Sequence, residues 1–175
     1  HMNVAVFAAC AANLILIGLL PRVFFRSDGR FNLMWWATAL PFLAASAVLV
    51  LALLGVQPVA ALDVSEAWRT ALDVVAIVLA MTSVALIMLT LGTHRRPLAL
   101  WHQNNDAPVE IVTWGAYARI RHPFYAAFLV TLAALLAAVP HAVTLLAFVY
   151  GWLVLNFTAA REERFLAASE FGADY

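Results

Sequence analysis

The chain contains no lysine and a single cysteine, and only 11% of its 175 residues are charged. Each shortage narrows the field. One cysteine, Cys10, cannot form an internal disulfide, and it leaves no thiolate cluster for zinc. Ten positive charges, all of them arginine, balance ten negative ones, so the formal net charge is zero and no global field steers the chain to nucleic acid. Common site signatures are missing too. There is no His-Glu-x-x-His helix, and His94, His102, His122 and His141 are scattered rather than spaced as metal ligands. No Gly-x-Gly-x-x-Gly, phosphate loop or Gly-x-Ser-x-Gly elbow occurs. The centres of the apolar runs hold no charges, which weighs against a pump or channel.

What is abundant is oil. Hydrophobic residues make up 65% of the chain, well above the half that a soluble domain carries. The expected fold is all-α: one integral membrane domain, residues 1–175, of about five transmembrane helices. His1-Met2 reads as a cloning scar and is left out of fold reasoning. The three N-terminal spans, within residues 3–91, run from about Asn3 to Leu20, Leu33 to Gly55 and Arg69 to Leu91. The first lacks a basic leader, so it reads as a membrane helix rather than a signal peptide. Pro41 lies inside the second span, where a neighbouring helix can satisfy the carbonyl it frees. Asp73, in the first turns of the third, complements the helix dipole. Residues 92–123 form a long polar loop. Residues 124–158 form a helical hairpin broken at Pro140-His141, and residues 159–175 a charged interfacial tail helix. The arginines Arg22, Arg26, Arg30, Arg95, Arg96, Arg119, Arg121, Arg161 and Arg164 all fall on one side of a five-span topology. That bias puts the N-terminus outside and the long loop in the cytoplasm, in a multi-pass cytoplasmic-membrane protein.

The densest polar patch runs from Gly115 to Tyr125. Pro123 suits the first position of a helix, so Arg121 and His122 should sit at its N-terminal mouth, where free N–H groups and the helix dipole favour an anionic group. A hairpin brings its own ends together. Arg121, His122 and Tyr125 are therefore expected to approach Arg161, Glu162 and Glu163. On a helix Glu162 shares a face with Phe165, Leu166 and Ser169, while Glu163 lies about 100° away, so Glu162 should point inward and need a partner. A plain salt bridge between the hairpin ends meets the same pattern, and the residues alone leave both readings open.

Gly115-x-Tyr117-x-x-x-Arg121-His122-Pro123-x-Tyr125, then an apolar hairpin, then Glu162-Glu163-Arg164-Phe165-Leu166 and Phe171-Gly172-x-x-Tyr175, resembles the isoprenylcysteine carboxyl methyltransferase and phospholipid methyltransferase superfamily. The resemblance covers about the last third of the chain and departs from the usual pattern at Ala116 and at Ala126-Ala127. It implies an S-adenosylmethionine-dependent membrane methyltransferase acting on a lipophilic acceptor, an isoprenylcysteine-like carboxylate or a lipid amine, at the cytosolic face. It also implies that Gly115, Tyr117, Arg121, His122, Pro123, Tyr125, Glu162 and Glu163 bind the cofactor. For a carboxylate acceptor Arg161 or Arg119 would hold the substrate; for an amine Glu162 or His122 would take the proton. Arg161 and Glu162 are the catalytic candidates, and no metal is expected. The acceptor is expected to enter sideways from the bilayer past the Ala126 face of the hairpin. Sterol-reductase-like proteins, which use NADPH, look similar around Arg121-His122-Pro123-x-Tyr125. A non-catalytic membrane scaffold is the third reading.

Overall fold

The computed structural model describes residues 2–20, 24–26, 28–56, 61–93 and 112–168. These form five α-helices: α1 (Val4–Leu19), α2 (Leu33–Leu53), α3 (Glu66–Thr93), α4 (Pro123–Ala138) and α5 (Ala142–Ala167). A short 3-10 turn, Gly115–Ala118, precedes α4. No strand longer than an isolated bridge occurs among the described residues. By length and composition α2, α3 and α5 can each cross a membrane, while α1 and α4 are shorter apolar helices. Large apolar side chains such as Leu40, Val78, Met88 and Phe157 are exposed on the outer faces, which suits a hydrocarbon solvent.

Local signals account for the helix ends. Asn3 caps α1 through its side-chain oxygen, and Asn32 does the same for α2. Pro123 occupies the first turn of α4 with His122 as the cap residue. His141 caps α5 in a capping box with Thr144. The charged tail expected from Ala159 is no separate element. No glycine or proline interrupts residues 152–167, and α5 continues unbroken to Ala167. Residues 169–175, including Ser169 and the Phe171-Gly172-x-x-Tyr175 motif, lie outside the described residues, as do residues 94–111 of the long loop.

One of the two shortest helices sits in the middle. Eleven of the 16 residues of α4 are buried, against five of 28 in α3 and five of 26 in α5. α4 packs on α1, α2, α3 and α5, most extensively on α3. Its alanines, Ala127, Ala134, Ala137 and Ala138, let neighbouring backbones come close. Gly151 of α5 meets the same helix so tightly that an added Cβ would lie 2.3 Å from Leu132 Cδ1. At about 24 Å long, α4 would fall short of a hydrocarbon core on its own. Enclosed by its neighbours, it presents little surface to that core.

Polar groups inside the bundle are paired between helices. Asn13 of α1 donates to Thr131 Oγ1 of α4 at 3.0 Å. The Thr131 hydroxyl lies 2.8 Å from Ser83 Oγ of α3, and Ser83 donates to the Ala127 carbonyl at 2.9 Å. At the opposite end of α4, Arg69 donates to the Ala138 carbonyl while held by Asp73 at 2.9 Å. Asp73 therefore orients an arginine that caps α4, a more specific role than complementing the dipole of α3.

Pro41 has a defined partner. Lacking an N–H, it leaves the Ala37 carbonyl, four residues earlier, without its helical donor. The hydroxyl of Tyr150 on α5 donates to that carbonyl at 3.0 Å. Tyr150→Phe should lower stability by about 1 kcal/mol, the size of a typical net hydrogen bond. In a Pro41→Ala background the restored backbone N–H takes over, so the same change should cost almost nothing. Thermal unfolding of the four proteins of this cycle in detergent checks it; equal costs in both backgrounds would break the link.

Candidate functional site

The site is built where α4 begins and α5 ends. α3 is about 42 Å long at 1.5 Å per residue and ends at Thr93, beside the start of α4. There Thr93 Oγ1 accepts from the Ala116 N–H at 3.2 Å and anchors the 3-10 turn. Gly115 is needed at this point. Its φ of +62° suits glycine, and an added Cβ would lie 2.1 Å from Thr93 Oγ1. No sequence signal marks Thr93, a helix-end threonine whose partner lies 23 residues on.

His122 stands between two carboxylates. Its Nδ1 lies 3.3 Å from Glu162 Oε2, and its Nε2 makes a 3.1 Å hydrogen bond with Glu163 Oε1. Arg121 reaches the same Glu163 oxygen at 3.8 Å. The ring of Tyr125, one turn along α4, stacks on the imidazole at 5.4 Å with planes 16° apart. Burial pushes the His122 pKa down, but Glu162 and then Glu163 more than offset it, and the net shift is upward from 6.5. Burial pushes the Tyr117 phenol up to about 12, with the Glu162 charge adding to the effect. Tyr117 therefore stays a protonated donor beside that carboxylate.

The structure brings together Tyr117, Arg121, His122, Tyr125, Glu162 and Glu163. Glu162 is the more enclosed carboxylate, its side chain 14% exposed against 38% for Glu163. On the same helical face Phe165 is 64% exposed and Leu166 half-buried, and Glu162 turns inward to His122. Pro123 is buried and acts through the backbone of α4. Arg161 and Arg119 are exposed and make no ion pair with the His122 group. Among the described residues no group of three His, Cys, Asp or Glu could hold a metal ion. Oε1 of Glu162 and Oε2 of Glu163 have no partner among the described residues.

A cavity of about 260 Å³ lies between α1 and α2 at the same end of the bundle. Leu14, Ile17 and Gly18 line it from α1, Trp35, Phe42 and Ser46 from α2, and Phe128 reaches it from α4. Rings connect the two features. Tyr125 lies 6.5 Å from Phe128, and Phe128 meets Phe42 edge-on at 5.7 Å. Ala126 is not among the residues that line this cavity, which lies at the α1–α2 seam.

No family model, curated protein or solved structure matches the chain.

The raised His122 pKa has a definite sign. Stability from the bracketed imidazolium is fully present below pH 6.5 and is lost as pH rises through the raised value. The melting temperature of the detergent-purified protein should fall over that window, and His122→Gln should flatten the dependence. An equal fall in the variant would exclude His122 as its source.

Proposed function

We propose that this protein is a multi-pass membrane methyltransferase that uses S-adenosylmethionine and a lipophilic acceptor. The observation that carries the reading is the His122–Glu162–Glu163 group, placed where a polar surface and an apolar cavity meet through Tyr125 and Phe128. The donor set fits the cofactor. The open carboxylate oxygens of Glu162 and Glu163 suit hydroxyl and ammonium donors, and the protonated Tyr117 phenol suits an acceptor. The resemblance of the Arg121-His122-Pro123-x-Tyr125 and Glu162-Glu163 segments to membrane methyltransferases points the same way.

S-adenosylmethionine supplies a methyl group on a sulfonium. The chain's own task is positioning and the exclusion of water, and no covalent nucleophile is needed. Glu162, paired to His122 and largely enclosed, takes a proton if the acceptor is an amine. The exposed Arg161 serves only an acceptor arriving from the polar side, as a carboxylate headgroup would. The apolar tail occupies the α1–α2 cavity. A lipid would lose about 0.8 kcal/mol per methylene on leaving the bilayer for water, so entry from the bilayer is favoured over entry through water.

The arginine bias supports five spans, with the N-terminus outside and the site on the cytosolic face. In intact cells an impermeant thiol reagent should label Leu62→Cys from outside and leave Asp28→Cys untouched. The reverse pattern inverts the topology.

Calorimetric titration of the purified protein with S-adenosylmethionine, S-adenosylhomocysteine and NADPH tests the reading directly. The first two should bind, and His122→Ala should weaken S-adenosylhomocysteine by about 1–3 kcal/mol. Binding of NADPH alone would favour a reductase, and binding of none a scaffold. Gly18→Leu should fill the cavity, since no atom lies within 4 Å of a Cβ added there. It should abolish transfer to a long-chain acceptor and leave S-adenosylhomocysteine binding intact. Loss of both would place the cavity in the cofactor site.

A further inference from the structure

A second polar feature lies at the same end of the bundle, between α1 and α2. The chain folds back on itself there. Asn32 N–H donates to the Phe24 carbonyl at 2.9 Å, and Arg26 N–H to the Arg30 carbonyl at 2.8 Å. Gly29, at φ +79°, closes the turn, and Asp28 Oδ1 accepts from the Arg30 N–H. Phe25 and Phe31 face each other across it with ring centres 5.5 Å apart. Arg26 and Arg30 follow as the next cross-strand pair, where the chain enters and leaves the turn, and both are exposed.

The fold-back is fixed to the bundle by rings. Trp36 is stacked between Phe24 at 5.3 Å and Phe31 at 5.4 Å. Trp35 meets both Phe24 and Trp36 edge-on, and it also lines the α1–α2 cavity. Yet Phe25 and Phe31 remain 59% and 51% exposed. In water that exposure is a cost without a return. At a membrane surface it has one, because aromatic rings settle at the level of the headgroups. Two arginines with only Asp28 against them give that surface a net positive charge, and Arg30 is 82% exposed with a long 4.0 Å contact to Asp28. Among the described residues Arg26 has no carboxylate partner.

We propose that the Phe24–Asn32 fold-back is a docking surface for anionic phospholipid headgroups, with Phe25 and Phe31 seated among the lipids and Arg26 and Arg30 on the phosphates. It does not depend on methyl transfer. A headgroup bound here would sit beside Trp35, at the wall of the cavity.

The full-length protein, reconstituted in bilayers containing brominated phosphatidylglycerol or brominated phosphatidylcholine, tests this. The quenching that disappears in Trp36→Phe reports contact at the fold-back. Its ratio, phosphatidylglycerol over phosphatidylcholine, should be well above one at low salt, with about fivefold per arginine as the scale, and should fall as salt is added. Arg26→Gln/Arg30→Gln should bring it close to one with helix content unchanged by circular dichroism. Asp28→Asn, which keeps the turn acceptor but removes the opposing charge, should raise it. A ratio near one in the unmodified protein, or one that the double variant leaves unchanged, would overturn the proposal. S-adenosylhomocysteine affinity should be the same in all these variants, which separates failure here from failure of the methyltransferase reading.

Discussion

α4 has almost no outward face, and the rest of the bundle depends on it. A helix enclosed by four others must have its polar groups met by those helices, because lipid offers no hydrogen bonds. The three places where this happens are spread along its length. At its start His122 is held by Glu162 and Glu163 of α5. At its middle Thr131 is held by Asn13 of α1 and Ser83 of α3. At its end the Ala138 carbonyl is capped by Arg69 of α3. Between them the contacts are small residues and rings. The candidate site is thus the upper member of a series of interhelical fastenings, distinguished by its exposure to the polar side and by its carboxylate oxygens that remain open.

Much of the helix layout was legible in the chain because apolar runs and prolines are strong signals. Pro123 marked the start of α4, and the two ends of the hairpin carried the polar groups that meet in space. Other features were hidden for a physical reason. In a soluble protein the buried face of a helix differs in polarity from the exposed one. Here core and surroundings are both apolar, so nothing in α4 announced that it was central or that α1 and α2 part to leave a cavity. The inward direction of Glu162 came out of the helical wheel, but its partner there, the imidazole, did not, and Phe165 on that face is exposed. The pairing of Tyr150 with the Ala37 carbonyl needed the tertiary structure, although Pro41 already implied that some donor must exist.

The chemistry of the site follows from uneven surroundings. A histidine between two carboxylates holds its charge more firmly than one in water, and a phenol near the same carboxylate holds its proton. The phenol therefore stays a donor near neutral pH, and the imidazole keeps its proton to higher pH than it would in water. Donors and acceptors held in this way favour binding and orientation over proton shuttling.

The fastening at Thr131 also has a consequence in time. Asn13 and its partner are 118 residues apart in the chain. At roughly 5–20 residues per second of synthesis, about 6–24 s separate them. During that interval α1 carries a carboxamide whose partner has not been made. α1 can pack on α3 before then, since that is its more extensive neighbour, but the carboxamide gains its partner only once α4 arrives. The order of translation thus makes this polar fastening one of the last contacts that α1 can complete.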